Sequence, residues 1–111
     1  MVGLGQTLGS SQTLAILEDM KSDSVLGVPA SWNSAWEFED QILESGANYC
    51  FEAMNGVDWA VANRDISGKV AAVGYDNDYG GDAAAGVEAA AEANAAAPVE
   101  GQPAPVAVPT P

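Results

Sequence analysis

The sequence predicts an α/β fold built on a parallel sheet. Strand-like and helix-like segments alternate along the chain, the order that joins parallel strands through right-handed crossovers. The strand-like runs, residues 25–28 and 70–75, are continuously apolar, as expected of strands covered on both faces. Each run ends in a polar, turn-forming loop that leads into a helical pattern. With 111 residues the chain makes one small domain at most.

Residues 3–11, GLGQTLGSS, read as a Gly/Ser/Thr loop. A helix follows, with Leu14, Ile16, Leu17 and Met20 at helical spacing and Glu18, Asp19 and Lys21 on its wet side; Ser10 or Ser11 is its expected cap. Ser22-Asp23-Ser24 ends it. Residues 25–28 form a short buried strand closed by Pro29, and residues 30–34 a polar turn. A second helix is expected over 35–43, with Ser34 as cap, Glu37 completing a capping box, Trp36, Ile42 and Leu43 facing inward, and Gly46 as the stop.

Residues 48–56 are ambiguous between a short strand and an extended segment, with Asn55-Gly56 as a turn; residues 57–62 suggest one or two helical turns. The clearest strand is 70–75, VAAVGY, introduced by Ser67-Gly68-Lys69. After the loop 76–81, Asp82 caps a helix over 83–96 whose helix propensity is high everywhere except at Gly86. Residues 98–111, PVEGQPAPVAVPTP, are proline-rich and without periodicity, and read as an extended, disordered tail.

Sixteen acidic residues face three basic ones, Lys21, Arg64 and Lys69, for a formal net charge of -13. Nucleic acids and anionic membrane surfaces both require a Lys/Arg footprint, so neither is an expected partner. There is no histidine, which removes imidazole bases, Ser-His dyads and His-ligated zinc. Cys50, the single cysteine, lies between Tyr49 and Phe51 and reads as a buried structural thiol; a reactive thiolate needs an electropositive neighbour, and none is near in sequence. No stretch approaches the ~20 apolar residues of a membrane span, and the first residues lack the charged and apolar regions of a secretory signal. Gly3-x-Gly5 with Leu8 is not a dinucleotide fingerprint, and no phosphate loop or G-x-S-x-G is present. The loop 76–81 superficially resembles a calcium loop, but Gly80 stands where Asp or Asn is required. Glu37, Glu39 and Asp40 read as a solvated helix surface. The expectation is therefore no metal, no cofactor and no catalysis.

In parallel sheets, ligands bind where strands lead into helices. Three loops occupy that position: 5–11, 29–34 and 76–81. Hydroxyls and free N–H groups at Ser10 and Ser11 suit a carboxylate, or else simply cap the helix. Ser31, Trp32 and Asn33 combine hydrogen bonding with a covering ring; alternatively Trp32 belongs to the core and Ser31 or Ser34 is a cap. The third loop serves a ligand, or only begins the next helix.

Taken together and in this order, GQTLGSSQTLAILEDM, VLGVPASWNSAW and GKVAAVGYDNDYGGDAAAGVEAAAEAN resemble the type I periplasmic-binding-protein family, in its branched-chain amino acid and amide branch, over residues 3–95. The resemblance implies part of a two-lobed flytrap: residues 1–68 a partial first lobe, 69–97 the strand and helix that start the second, and 98–111 the tail. It implies the solute-binding component of an ABC-type importer for branched-chain amino acids, amides or similar small polar molecules, with ABC permease subunits as partners. By position, Ser10 and Ser11 fall where the ligand's α-carboxylate is held. Ala30, Ser31 and Trp32 fall where the next loop meets carboxylate and ammonium, and Tyr79 where an aromatic of the second lobe closes over the ligand. The family's first strands and an export signal belong ahead of Gly3, and most of the second lobe after Asn94. The chain therefore reads as truncated, its full-length parent as extracytoplasmic, and its own ligand binding as weak or absent. Competing readings are a ligand-sensing ectodomain of the same fold and, less readily, a small α/β enzyme.

Overall fold

The computed structural model describes residues 2–64, 66 and 70–96. The expected lead-in at Ser67-Gly68-Lys69 and the expected tail over 98–111 lie outside the described residues. Strands β1 (Gly3–Leu8) and β2 (Leu26–Ala30) form a two-stranded parallel sheet. The expected loop over 3–11 is thus largely strand. Gly3, Leu4 and Gly5 align with Leu26, Gly27 and Val28, and this main-chain pairing overrides the poor strand propensity of glycine. The register shifts between Gly5 and Leu8, where Gln6 adopts a left-handed φ of 55°. Such a bulge re-aims the strand. Here it sets Leu8 beside Ala30 and delivers the chain to Gly9, at φ 91°, and into the first helix.

The helix expected after Ser11 is two short helices, α1 (Ser10–Ala15) and α2 (Leu17–Ser22), separated at Ile16. Gly9 is the N-cap of α1 and contributes no side-chain bond, so Ser10 and Ser11 lie inside the helix instead of capping it. Thr13 is fully buried and its hydroxyl donates to Thr7 Oγ1 at 3.1 Å, fastening α1 to β1. Leu17 and Met20 are buried, as their spacing predicts. Lys21 bridges Glu18 at 3.1 Å and Glu39 at 3.0 Å, linking α2 to the segment beyond the sheet.

The helix expected over 35–43 shrinks to a 3₁₀ turn, Ser34–Phe38. Trp36 is buried, and its Nε1 donates to the Ser31 carbonyl at 3.0 Å. Beyond Phe38 the backbone leaves the helix because β2 offers it partners: Gly27 N donates to the Gln41 carbonyl and Leu43 N to the Gly27 carbonyl, both at 2.8 Å. Leu43 consequently points outward and is largely exposed. The cap is Asn33, accepting from Ala35 N at 3.0 Å, and not Ser34. Glu37 accepts from Asn48 Nδ2 instead of closing a capping box.

The ambiguous stretch 48–56 and the helical turns expected over 57–62 join into a single long helix, α3 (Tyr49–Asn63). Asn48 caps it by accepting from Phe51 N at 2.9 Å. The turn signal at Asn55-Gly56 is overridden, because both residues lie on the exposed face of a helix held along its other side. The strand expected at 70–75 is absent: the segment pairs with no described strand, and Val73 is 99% and Tyr75 77% exposed. A lone strand leaves its backbone groups to water and gains nothing from being straight. The last helix, α4 (Asp78–Ala96), begins ahead of the expected Asp82 cap, because Asn77 Oδ1 already accepts from Gly80 N at 3.0 Å.

Helices α3 and α4 lie along one another, with Val57, Ala90 and Ala91 buried. Gly86 is buried where α4 crosses the start of α3, and a Cβ at that position would overlap the Cys50 carbonyl. Asn94 Nδ2 donates to Asp58 Oδ1 at 2.7 Å farther along the pair. Two glycines of α4 therefore make opposite predictions. Gly86→Ala is expected to destabilise the chain by roughly 1–3 kcal/mol through overpacking. Gly81→Ala, which meets open space, is expected to stabilise it by up to about 1 kcal/mol through helix propensity. Urea denaturation of both variants checks the pair.

Candidate functional site

A cleft of about 290 Å³ opens where the turn from β1 into α1, the end of β2, and the starts of α3 and α4 converge. Residues 8–12 form one wall; Ala30, Tyr49, Asn77 and Tyr79 complete it. The fold places it as a parallel sheet should, beyond the carboxyl ends of both strands.

Of the six residues singled out in sequence, Ser10, Ser11, Ala30 and Tyr79 line this cleft, and Ser31 and Trp32 do not. Ser10 is 3% exposed, and its hydroxyl lies in the wall with no partner among the described residues. Ser11 Oγ donates to Asp78 Oδ2 at 2.5 Å, so the rim of the cleft carries a carboxylate. Ser31 is buried behind the wall, its hydroxyl likewise without a partner among the described residues and its carbonyl taken by Trp36. Trp32 Nε1 donates to Ser45 Oγ at 3.2 Å, and the Trp32 carbonyl accepts from Tyr49 N at 2.7 Å.

Sequence reasoning missed Tyr49 and Gln12, and it placed the loop 76–81 at the ligand position without singling out Asn77 and Asp78. Tyr49 is the most consequential of these. Its ring meets Trp32 edge-on at 6.1 Å and Tyr79 edge-on at 4.7 Å, making an aromatic row that ends in the cleft. The signal that would have found it is Asn48 ahead of an apolar run with Glu52 in the first turn, a helix start that would put Tyr49 at its mouth.

Behind the row lies a knot of polar groups. Asn33 Nδ2 donates to the Asp78 carbonyl at 3.1 Å. Ser34 donates to Asp82 through its N–H at 2.8 Å and also through its hydroxyl. Asn48 Nδ2 donates to Glu37 Oε1 at 3.0 Å. Glu44 faces Glu37 and Asp82, and its carboxyl is pushed up to about 7, first by burial and then by the charge of Glu37. Burial, and then Asp82, raises the Cys50 thiol, which disfavours the thiolate a nucleophile requires. Cys50 is half-buried, less enclosed than its aromatic neighbours suggested. Among the described residues, no group of three or more His, Cys, Asp or Glu side chains is placed to hold a metal ion.

No family model matches the chain, and no curated protein does. Among solved structures, the chain is similar to a fatty acid ABC transporter substrate-binding protein from Thermomonospora curvata, with 28% sequence identity and a TM-score of 0.76. The match covers 91% of this chain and 24% of that one, so the chain spans about a quarter of the length of the protein it resembles. The fold is thus that of a fragment of a periplasmic-binding-protein-like structure with a parallel sheet, and its likeness is to a non-enzyme class. The likeness supports a substrate-binding protein without supporting the branched-chain branch.

Glu44 gives this region a pH signature. Its folded-state value lies above its ordinary 4.5, so the protonated form favours folding. That contribution is complete below pH 4.5 and is lost as pH rises to about 7. Replacing Glu44 with Gln removes the dependence. The thermal midpoint of Glu44→Gln relative to the unaltered chain is expected to climb between pH 4.5 and 7 and then level off; a difference constant across that range contradicts the assignment.

Proposed function

We propose that the chain is part of an extracytoplasmic solute-binding protein serving an ABC-type importer, and that its cleft contributes to capture of a small zwitterion such as a branched-chain amino acid or a related amide. The observation that carries this reading is the structural likeness to a transporter substrate-binding protein over 91% of the chain. That neighbour is described as handling fatty acids. Fatty acids and amino acids share a carboxylate joined to an apolar part, and the cleft offers features suited to both. The N–H groups of Ser10, Ser11 and Gln12 begin a helix and have no intrahelical acceptor, while Leu8, Tyr49 and Tyr79 supply apolar surface. Two features favour the zwitterion over a simple anion. Asp78 stands beside Ser11, where an ammonium finds a partner and a lone carboxylate is repelled. The net charge of -13 likewise disfavours anions at long range.

In this reading Ser10 and Ser11 meet the carboxylate, Ala30 contributes backbone, and Tyr79 covers the ligand. Ser31 and Trp32 support the wall from behind. Residues 1–68 would belong to the first lobe and 69–97 to the start of the second, although the packing of α3 along α4 argues for moving that division ahead of Tyr49. ABC permease subunits would be the partners of the full-length protein. Tight capture by such a flytrap needs closure of two lobes, so the chain alone is expected to bind weakly.

Backbone amide shifts during titration with L-leucine, acetamide and octanoate test this directly. L-leucine is expected to move Ser11, Ala30 and Tyr79 with millimolar affinity, and octanoate to bind more weakly. Submicromolar binding by the chain alone contradicts the two-lobe account. Shifts confined to octanoate move the ligand class to fatty acids, and no shift with any of the three defeats the capture reading.

A further inference from the structure

We propose that Tyr49 sets how much apolar side arm the cleft accepts, and that Trp32 acts on the ligand only by holding Tyr49 in place. This rests on the capture reading above and assigns selectivity within that same cleft. Tyr49 is immobilised from several directions. Its N–H donates to the Trp32 carbonyl at 2.7 Å. The preceding residue, Asn48, is 1% exposed, caps α3 through Phe51 N and is itself anchored on Glu37. The Tyr49 ring is caught edge-on between Trp32 and Tyr79. An aromatic with two torsions held this way presents a fixed apolar wall at little entropic cost.

The other wall residues are less suited to that task. Tyr79 is 44% exposed and leans on Tyr49. Ala30 carries a single methyl group. Leu8 is 78% exposed at the mouth. Ser10, Ser11 and Asn77 are polar. Trp32 does not line the cleft, and its indole N–H and its carbonyl are already engaged, with Ser45 and with Tyr49. Trp32 is therefore a positioning residue. Each methylene that a ligand buries against the Tyr49 ring is expected to raise affinity about fourfold, so the wall acts on ligands that share a zwitterionic head and differ in side arm.

Glycine and L-leucine are the matching probes, titrated by NMR into the full 111-residue chain. The unaltered chain is expected to prefer leucine by about tenfold or more. Tyr49→Ala is expected to erase most of that preference by weakening leucine about tenfold, with glycine affected less than twofold; Tyr49→Phe is expected to keep it. Trp32→Ala is expected to reduce the preference no further than Tyr49→Ala does, and the double variant to match Tyr49→Ala alone. If Tyr49→Ala fails to fold by circular dichroism, Tyr49→Leu, which keeps an apolar side chain of different shape, replaces it with an intermediate preference expected. An unchanged leucine-to-glycine ratio in a folded Tyr49 variant overturns the proposal alone. Additive losses in the double variant overturn the positioning role of Trp32. Absence of binding by the unaltered chain to either amino acid overturns the capture reading and this inference with it.

Discussion

The structure depends on one constraint: its most completely buried side chains are polar. Thr13, Ser31 and Asn48 are the largest fully enclosed side chains, and Asn33 is close behind. The buried apolar set among the described residues is small, Leu17, Met20, Val25, Trp36, Val57, Ala90 and Ala91, so the hydrogen bonds that Thr13, Asn33 and Asn48 make where they stand carry much of the order. Asn48 serves the first turn of α3 and Glu37 together; Asn33 serves the 3₁₀ turn and the start of α4. The irregular stretch between β2 and α3 is thereby held to the mouths of two helices. Satisfied networks of this kind specify a single arrangement better than a thin apolar core does.

That dependence explains which parts of the fold were legible in the sequence. The class was, because apolar runs and helical spacing locate the elements: β2 lies close to its expected place, Leu17 and Met20 face inward, and Trp36 is buried. The expected burial of β2 on both faces is not found, since Leu26 and Val28 are exposed on the face that no described element covers. The boundaries were not, because long-range backbone partners set them. The pairing of β1 with β2 made a strand of a glycine-rich stretch, and Gly27 drew the chain after Phe38 out of its helix. The reverse holds at 70–75, where strand-forming residues lie without a neighbour to pair with among the described residues. Asn55-Gly56 signals a turn only locally, and the cap at Asn48 with the support of α4 outweighs it.

The cleft was legible in part, and for a different reason. Ser10, Ser11, Ala30 and Tyr79 were reached through resemblance to a family and through the rule that ligands sit beyond strand ends; the structure brings these four together around one opening. Ser31 and Trp32 come from the same loop but face the other way, since that loop is pinned through the Ser31 carbonyl to Trp36 and through the Trp32 carbonyl to Tyr49. Tyr49 escaped notice because it reaches the cleft only through the start of a helix whose cap was not recognised, and Asp78, though inside the loop 76–81 set at the ligand position, was not singled out because its partner Ser11 lies 67 residues away.

The scarcity of basic residues has a consequence for ionic strength. Lys21, one of three cations in the chain, is bound to two of the sixteen carboxylates at once, which leaves fourteen others to repel one another. Electrolyte screens both effects over a Debye length of about 10 Å at 0.1 M. Short exposed pairs lose little because they contribute little, whereas diffuse repulsion spread over the whole surface is relieved. Added salt thus tightens this fold, the reverse of its effect on a protein held together by surface ion pairs, and dilute buffer is the condition under which the chain is weakest.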